Sequence, residues 1–198
     1  MDKAETRKAM RLKRRLVGEG TRAAFGRAVA KALVAELKGA RLVAAYLALE
    51  DEIPLNRFIA ASPSVGRTIC VPAWEEESRT YILSLLGADP GQDGRDDANG
   101  EVSGLVKGRF GVLEPRHLVP VDPAKVDAWI VPGLAFTLDG GRLGYGGGFY
   151  DRLLSKARPD ARKIGVAYPF QILPAIPLES HDIRLDAVIA PQIDGLPS

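Results

Sequence analysis

Residues 131–154 read VPGLAFTLDGGRLGYGGGFYDRLL, and the rest of the chain is read outward from them. Six of the nine residues from Gly140 to Gly148 are glycine. An apolar run, residues 128–131 (AWIV), precedes them, and a helix-like segment, residues 151–158, follows. The order is strand, glycine loop, helix start. Glycine tolerates positive φ and lets the backbone come close to a ligand. Successive N–H groups in such a loop can converge on an anion. A following helix adds its free N–H groups and the positive end of its dipole. Arg142 and Arg152 place positive charge on either side. This chemistry is that of a phosphate cradle. It is not a P-loop, because no Gly-Lys-Ser/Thr follows the glycines. It is not the dinucleotide fingerprint either, because Phe149 stands at the third glycine position. The plainer alternative is a solvent-exposed connector, although an ordinary strand-to-helix link is short and needs few glycines.

The composition bounds what such a loop can belong to. At 198 residues the chain is expected to form one domain, residues 1–198. Its hydrophobic content of 46% and charged content of 26% are ordinary for a soluble globular protein. Cys70 is the one cysteine, which excludes an internal disulfide and a Cys-based zinc site. The two histidines, His117 and His181, are too few for a His-rich metal site. No apolar run approaches the roughly 18 residues of a membrane span. The N-terminus has no secretory h-region, and Asp2 and Glu5 argue against a transit peptide, so a cytoplasmic protein is expected. Net charge is +2, but residues 1–41 carry twelve Lys/Arg against four Asp/Glu. That asymmetry points to a polyanionic ligand for the first segment.

Along the chain, residues 3–16 read as a basic helix with Met10, Leu12 and Leu16 as sparse apolar positions. Lys3 and Arg7 lie one turn apart on one face and can reach the same phosphates. A solvated surface helix is the alternative. Thr21 is expected to cap a second helix that runs to Lys38 and stops at Gly39, with Phe25, Val29, Leu33, Val34 and Leu37 as its core face. Residues 42–49 read as a buried strand, and Glu52 follows it where ligands collect in open α/β sheets. Residues 55–61 suggest a short helix, and residues 68–71, 81–86, 163–167 and 187–189 suggest strands. Residues 87–104 are rich in Gly, Asp, Asn and Pro and predict a mobile surface loop. Asp89, Asp93 and Asp97 within it do not have the spacing of a calcium loop. Phe110 is either core or the wall of a flat ring. The alternation of strand and helix predicts an α/β fold of three layers, a largely parallel, open Rossmann-like sheet with helices on both faces.

The stretch PGLAF…RLGYGGGFYDR resembles the signature of the 5-formyltetrahydrofolate cyclo-ligase, or 5,10-methenyltetrahydrofolate synthetase, family. Lys3-x-x-x-Arg7, Asp51-Glu52-Ile53, Leu113-Glu114-Pro115 and Gln171…Pro177…His181-Asp182 extend the resemblance along nearly the whole chain. It implies an enzyme that uses ATP and Mg²⁺ to convert 5-formyltetrahydrofolate to 5,10-methenyltetrahydrofolate, ADP and phosphate. It implies an ATP site at Lys3, Arg7, Arg142, Leu143, Gly144, Tyr145, Gly146, Gly147, Gly148, Phe149 and Tyr150, with Arg142 and Tyr150 catalytic. The folate would meet Leu47, Glu52, Phe110, Tyr145, Gly146, Gly147, Gly148 and Phe149. Asp151 and Asp182 would hold the metal. The expected partners are these small molecules, with no nucleic acid and no membrane, and the expected state is a monomer. Some members carry Arg where this chain has Tyr145 and Lys where it has Gly147. Fewer cations in the loop would weaken ATP binding, but the backbone donors remain. Two other readings compete. The basic first helix could bind RNA, although no aromatic is interleaved with its charges. A phosphosugar-type enzyme could carry the same glycine loop.

Overall fold

The structure, a computed structural model, describes residues 2–87, 104–179 and 182–193, the side chain of Phe110 excepted. Two helices, α1 (Lys3–Arg15) and α2 (Glu19–Glu36), open the chain. Strand β1 (Leu42–Ala44), helix α3 (Asn56–Ala61) and a hairpin of β2 (Thr68–Glu75) and β3 (Thr80–Leu85) follow. A small antiparallel ribbon joins β4 (Leu105–Lys107) to β5 (Leu113–Pro115), and the two-residue β6 (Pro120–Val121) comes next. Strand β7 (Ala128–Val131) leads into a second ribbon, β8 (Ala135–Phe136) with β9 (Arg142–Leu143). The glycine loop, α4 (Phe149–Leu154), β10 (Arg162–Val166) and β11 (Ala187–Ile189) complete the order. Among the described residues no helix is long and apolar enough to cross a membrane.

The main sheet runs β11-β10-β7-β1-β2-β3-β6. Its first five strands are parallel, and β3 and β6 are antiparallel additions at one edge. The strands read as unbroken apolar runs because both faces are covered. Val43, Ile69, Val71, Ala128, Ile130 and Ile164 face Phe25, Val29 and Leu33 of α2 and Phe58 of α3. Their alternate neighbours Ala44, Cys70, Trp129 and Val131 face Leu153 and Leu154 of α4. This is the expected three-layer α/β architecture, and each large side chain so buried contributes roughly 1.5–3 kcal/mol.

The chain leaves β1 outward to β2, β3 and β6, then returns to β7 on the other side of β1 and moves out to β10 and β11. The order reverses between β1 and β7, and the carboxyl ends of strands at such a reversal are where α/β sheets bind ligands. Two prolines open the sheet there. The N–H of Ala45 donates to Cys70 O, and the register Ala44↔Cys70 sets Pro72 opposite Tyr46. Pro72 has no N–H to return to the Ala45 carbonyl. On the other flank β7 ends at Val131, directly before Pro132. The strand expected over residues 42–49 therefore stops at Ala44, and residues 45–49 leave the ladder to line the opening.

Other boundaries differ from expectation for local reasons. The α2 helix starts at Glu19 with Gly18 as its cap, two residues before Thr21, and Val34 is 39% exposed rather than part of the core face. The β2 strand continues past Pro72 to Glu75, because that residue's missing N–H points at β1 while β3 pairs along the other edge. The last helix is Phe149–Leu154 instead of residues 151–158, entered through Gly148 in the left-handed region. Phe110 belongs to a short 3-10 turn, and its expected ring contact lies outside the described side chains. Of the predicted loop at residues 87–104, only Gly87 and Gly104 are described, and Asp89, Asp93 and Asp97 lie outside.

Candidate active site

The glycine loop is held from outside by α1. Thr6, Met10 and Arg14 form the buried stripe of that helix, and Met10 packs with Leu134, Ala135 and Leu143. Leu12 and Leu16 point to solvent instead, at 63% and 78% exposed. With the stripe seated, the arginines of α1 reach the loop. Arg7 Nε donates to the Gly144 carbonyl at 2.9 Å, and Arg11 Nη2 to the Tyr145 carbonyl at 3.3 Å. Arg14 Nη1 donates to the Tyr145 hydroxyl at 2.5 Å. The first helix is thus a docked clamp, not a solvated face. Gly146 adopts φ +104°, which side chains rarely tolerate.

The loop separates two cavities. One, of about 330 Å³, is lined by Lys3, Arg7, residues 142–151, Glu179 and Asp182. Every ATP and metal residue expected from the sequence lies on its wall. Its charges are mutually engaged. Arg142 is buried and donates to Asp151 Oδ1, with its guanidinium 5.9 Å from the Tyr150 ring centroid. Lys3 Nζ bonds Glu179 at 2.7 Å and Asp182 at 3.2 Å. The hydrogen bond to Glu179, ahead of the influence of Asp182, holds the Lys3 ammonium above its ordinary pKa. Asp182 Oδ2 also accepts the Glu179 N–H at 2.7 Å. Asp151 is the third residue of α4 and does not cap it, since Gly148 holds the cap position. Among the described residues no group of three or more His, Cys, Asp or Glu side chains is placed to hold a metal. Two carboxylates beside a phosphate cradle suit magnesium, which usually takes one or two and fills its other positions with phosphate oxygens and water.

The other cavity, of about 510 Å³, lies over the carboxyl ends of β1, β2 and β7. Tyr46, Tyr81, Tyr145, Phe149 and Tyr150 supply its aromatic wall, with Leu47, Leu49, Pro72 and Pro132 among the apolar residues. Tyr81 and Phe149 meet edge to face at 4.9 Å. Among the described residues Glu52 is the one acid on the wall, and it is 7% exposed. It accepts the Leu49 N–H at 2.9 Å and the Tyr145 hydroxyl. Burial pushes the Glu52 carboxyl up, and Arg14 is the strongest influence against that shift. Burial also pushes the Tyr145 and Tyr150 phenols up, so both remain protonated near neutral pH.

Of the residues expected to contact the folate, Leu47, Glu52, Tyr145, Gly147 and Phe149 line this second cavity. Gly146 and Gly148 line only the first. Among the residues that escaped the sequence reading are Arg14, Glu179, Tyr46 and Tyr81. Arg14 had a signal, because Thr6, Met10 and Arg14 are spaced four apart and share a helix face. Tyr81 and Glu179 come to the site from distant segments and carried none. Arg11 and Arg14 are engaged by Tyr145, which leaves less of the α1 charge for an RNA backbone.

The sequence matches the model of the 5-formyltetrahydrofolate cyclo-ligase family over residues 1–191. The chain belongs to that family. The 5-formyltetrahydrofolate cyclo-ligase of Mycolicibacterium smegmatis is 30% identical over 96% of this chain and 94% of its own. That of Escherichia coli K12 is 30% identical over 77% of this chain and 79% of its own. Among solved structures, 5,10-methenyltetrahydrofolate synthetase of Aquifex aeolicus superposes with a TM-score of 0.75 at 31% identity, over 96% of this chain and 90% of that one. The cyclo-ligase fold therefore extends across both cavities and the loop between them.

Proposed function

We propose that the protein uses ATP and magnesium to convert 5-formyltetrahydrofolate to 5,10-methenyltetrahydrofolate, with release of ADP and phosphate. The observation that carries the reading is the pair of cavities sharing Tyr145, Gly147, Phe149 and Tyr150 as a common wall. One is polar, with cations, loop backbone and the acids Asp151, Glu179 and Asp182. The other is aromatic and carries the Glu52 carboxylate. Glu52 can accept two N–H bonds from a pterin ring. Lys3, Arg7 and the loop from Arg142 to Tyr150 suit a triphosphate, and Asp151 with Asp182 would hold the magnesium. When bound, that ion offsets phosphate charge during transfer.

The chemistry fits two substrates meeting across a thin wall. Oxide is a very poor leaving group and phosphate a good one. The formyl oxygen attacks the γ-phosphorus, forming a P–O bond as the bond to ADP breaks. N10 then attacks the activated carbon and loses its proton, and the C–O bond breaks to release phosphate. The chain positions the partners and neutralises charge, and no protein nucleophile is needed. Arg142 supplies fixed positive charge at the loop, and Tyr150, protonated, is a donor rather than a base. Cys70 takes no part, since burial pushes its thiol up to about 12. The proposed setting is cytoplasmic and the proposed state a monomer.

The test is to follow phosphate release and the methenyl absorbance band in parallel. Both should appear only when 5-formyltetrahydrofolate and MgATP are present together. Phosphate release at the same rate without the folate would overturn the reading.

A further inference from the structure

We propose that Arg14 is a positioning residue for the reaction: its buried guanidinium holds the Glu52 carboxylate and the Tyr145 phenol in place at the wall of the aromatic cavity. The proposal rests on the function proposed above. Arg14 is 1% exposed, whereas Lys8, Lys13 and Arg15 of the same helix are exposed. A guanidinium is costly to bury unless it is paired. Its partners come from three separate segments that end at the site. Arg14 donates to the Asp51 side chain and to the Asp51 carbonyl at 3.2 Å. It donates to the Gly133 carbonyl at 3.4 Å and the Tyr145 hydroxyl at 2.5 Å, and stands 3.8 Å from Glu52 Oε1. Tyr145 in turn donates to that same oxygen.

Glu52 cannot hold its charge unaided. Burial pushes its carboxyl up, and Asp51 adds to the push. Arg14 leads the opposing influences, ahead of the Tyr145 hydrogen bond and the Leu49 N–H. The other titratable groups that face it, Tyr46, Tyr150 and Tyr168, are themselves kept neutral by burial. Behind the carboxylate, the gap enclosed with Arg14, Tyr46 and Gln171 is about 10 Å³, room for about one water. On this side the charge state therefore depends on α1. As an anion Glu52 accepts bonds at both oxygens; protonated, it turns one of them into a donor and loses the pattern that matches two ring N–H groups.

The experiment measures kcat/KM for 5-formyltetrahydrofolate against pH in the wild type, Arg14→Lys and Arg14→Met. The rising limb that reports Glu52 should move up by about one unit or more in Arg14→Met, as for a carboxylate that loses its cation. KM for the folate should rise more than KM for ATP. Arg14→Lys, which keeps the charge, should return the limb towards its wild-type place. If Arg14 only packs α1 on the sheet, Met fills similar space and the limb stays put, which overturns the proposal. A thermal double-mutant cycle reads the same coupling without activity. Glu52→Gln combined with Arg14→Met should lose clearly less stability than the two single losses summed. If Arg14→Met alone does not accumulate folded, rescue by Glu52→Gln is the equivalent result. Additive losses, or no rescue, overturn the coupling. A wild type that forms no methenyl product sinks the proposed function instead, and the thermal cycle still decides the role of Arg14.

Discussion

A single carboxylate, Asp127, ties the starts of two strands together. Its Oδ2 accepts the N–H groups of Arg41 and Leu42, each at 2.8 Å, and its own N–H donates to the Leu42 carbonyl at 2.8 Å. Arg158 adds an ion pair at 3.1 Å. Burial alone would push this carboxyl up, but the Leu42 and Arg41 N–H groups and the Arg158 charge outweigh it and hold it below its ordinary value. A carboxyl depressed on folding contributes stability that is present above its unfolded pKa and is lost as pH falls through the folded one. Asp127→Ala should therefore cost about 1 kcal/mol at pH 7, allowing for the partial exposure of the group. The gap from wild type should narrow below about pH 4. Urea unfolding at pH 7 and pH 3 measures both, and a gap independent of pH would mean that the charge is not the cause. Asp127 did not stand out in the sequence, and Arg14 was marked only by the helix face it shares with Thr6 and Met10. The partners that give them their roles lie 85 residues away for Asp127 and Leu42, and 131 away for Arg14 and Tyr145.

At the scale of elements, the glycine loop works because a clamp and a backbone conformation act together. Arg7 and Arg11 hold the carbonyls of Gly144 and Tyr145, and the loop from Gly144 to Gly148 lines the cavity. Gly146 is exposed, and a Cβ there would come no nearer than 3.6 Å to Arg7, so space is not what excludes a side chain. The φ of +104° is what excludes it. Gly146→Val should cost about 1–3 kcal/mol of strain or force the loop to move. Calorimetry should then find ATP binding lost or severely weakened while the far-UV spectrum stays native. Unchanged ATP affinity would reduce the loop to a connector. Elements were legible where their causes are local. The AWIV strand matches residue for residue, because a wholly apolar run sits between Asp127 and Pro132. The strand over residues 42–49 was overextended because the residue that ends its ladder is Pro72, on the neighbouring strand. The last helix was misplaced because its cap is a left-handed glycine and not a polar side chain.

At the scale of the whole molecule, one cavity gathers the first helix, the glycine loop and the segment around Asp182. Composition and periodicity predicted the three-layer sheet, but not this convergence. The expectation that Asp151 and Asp182 share a metal came from resemblance to the cyclo-ligases, and both side chains do line the same wall. Their structural duties are now specific enough to set against a metal role. Asp151 could serve only to pair with Arg142, and Asp182 only to hold Lys3 and the turn at Glu179. Asn at either position keeps the shape and removes one charge. If the acids are structural, Asp151→Asn and Asp182→Asn should lower the melting temperature and leave the magnesium dependence of the reaction unchanged. If they bear on one Mg²⁺, directly or through water, each variant should lose about tenfold or more in kcat at fixed MgATP. Raising free Mg²⁺ should restore part of that loss, because a weakened site fills again by mass action. The double variant should fall little below the worse single one, since both changes disable one ion. Titrating free magnesium against initial rate for the four proteins separates the cases. Wild-type kcat and an unshifted magnesium curve in both single variants would reduce the two acids to ion-pair partners.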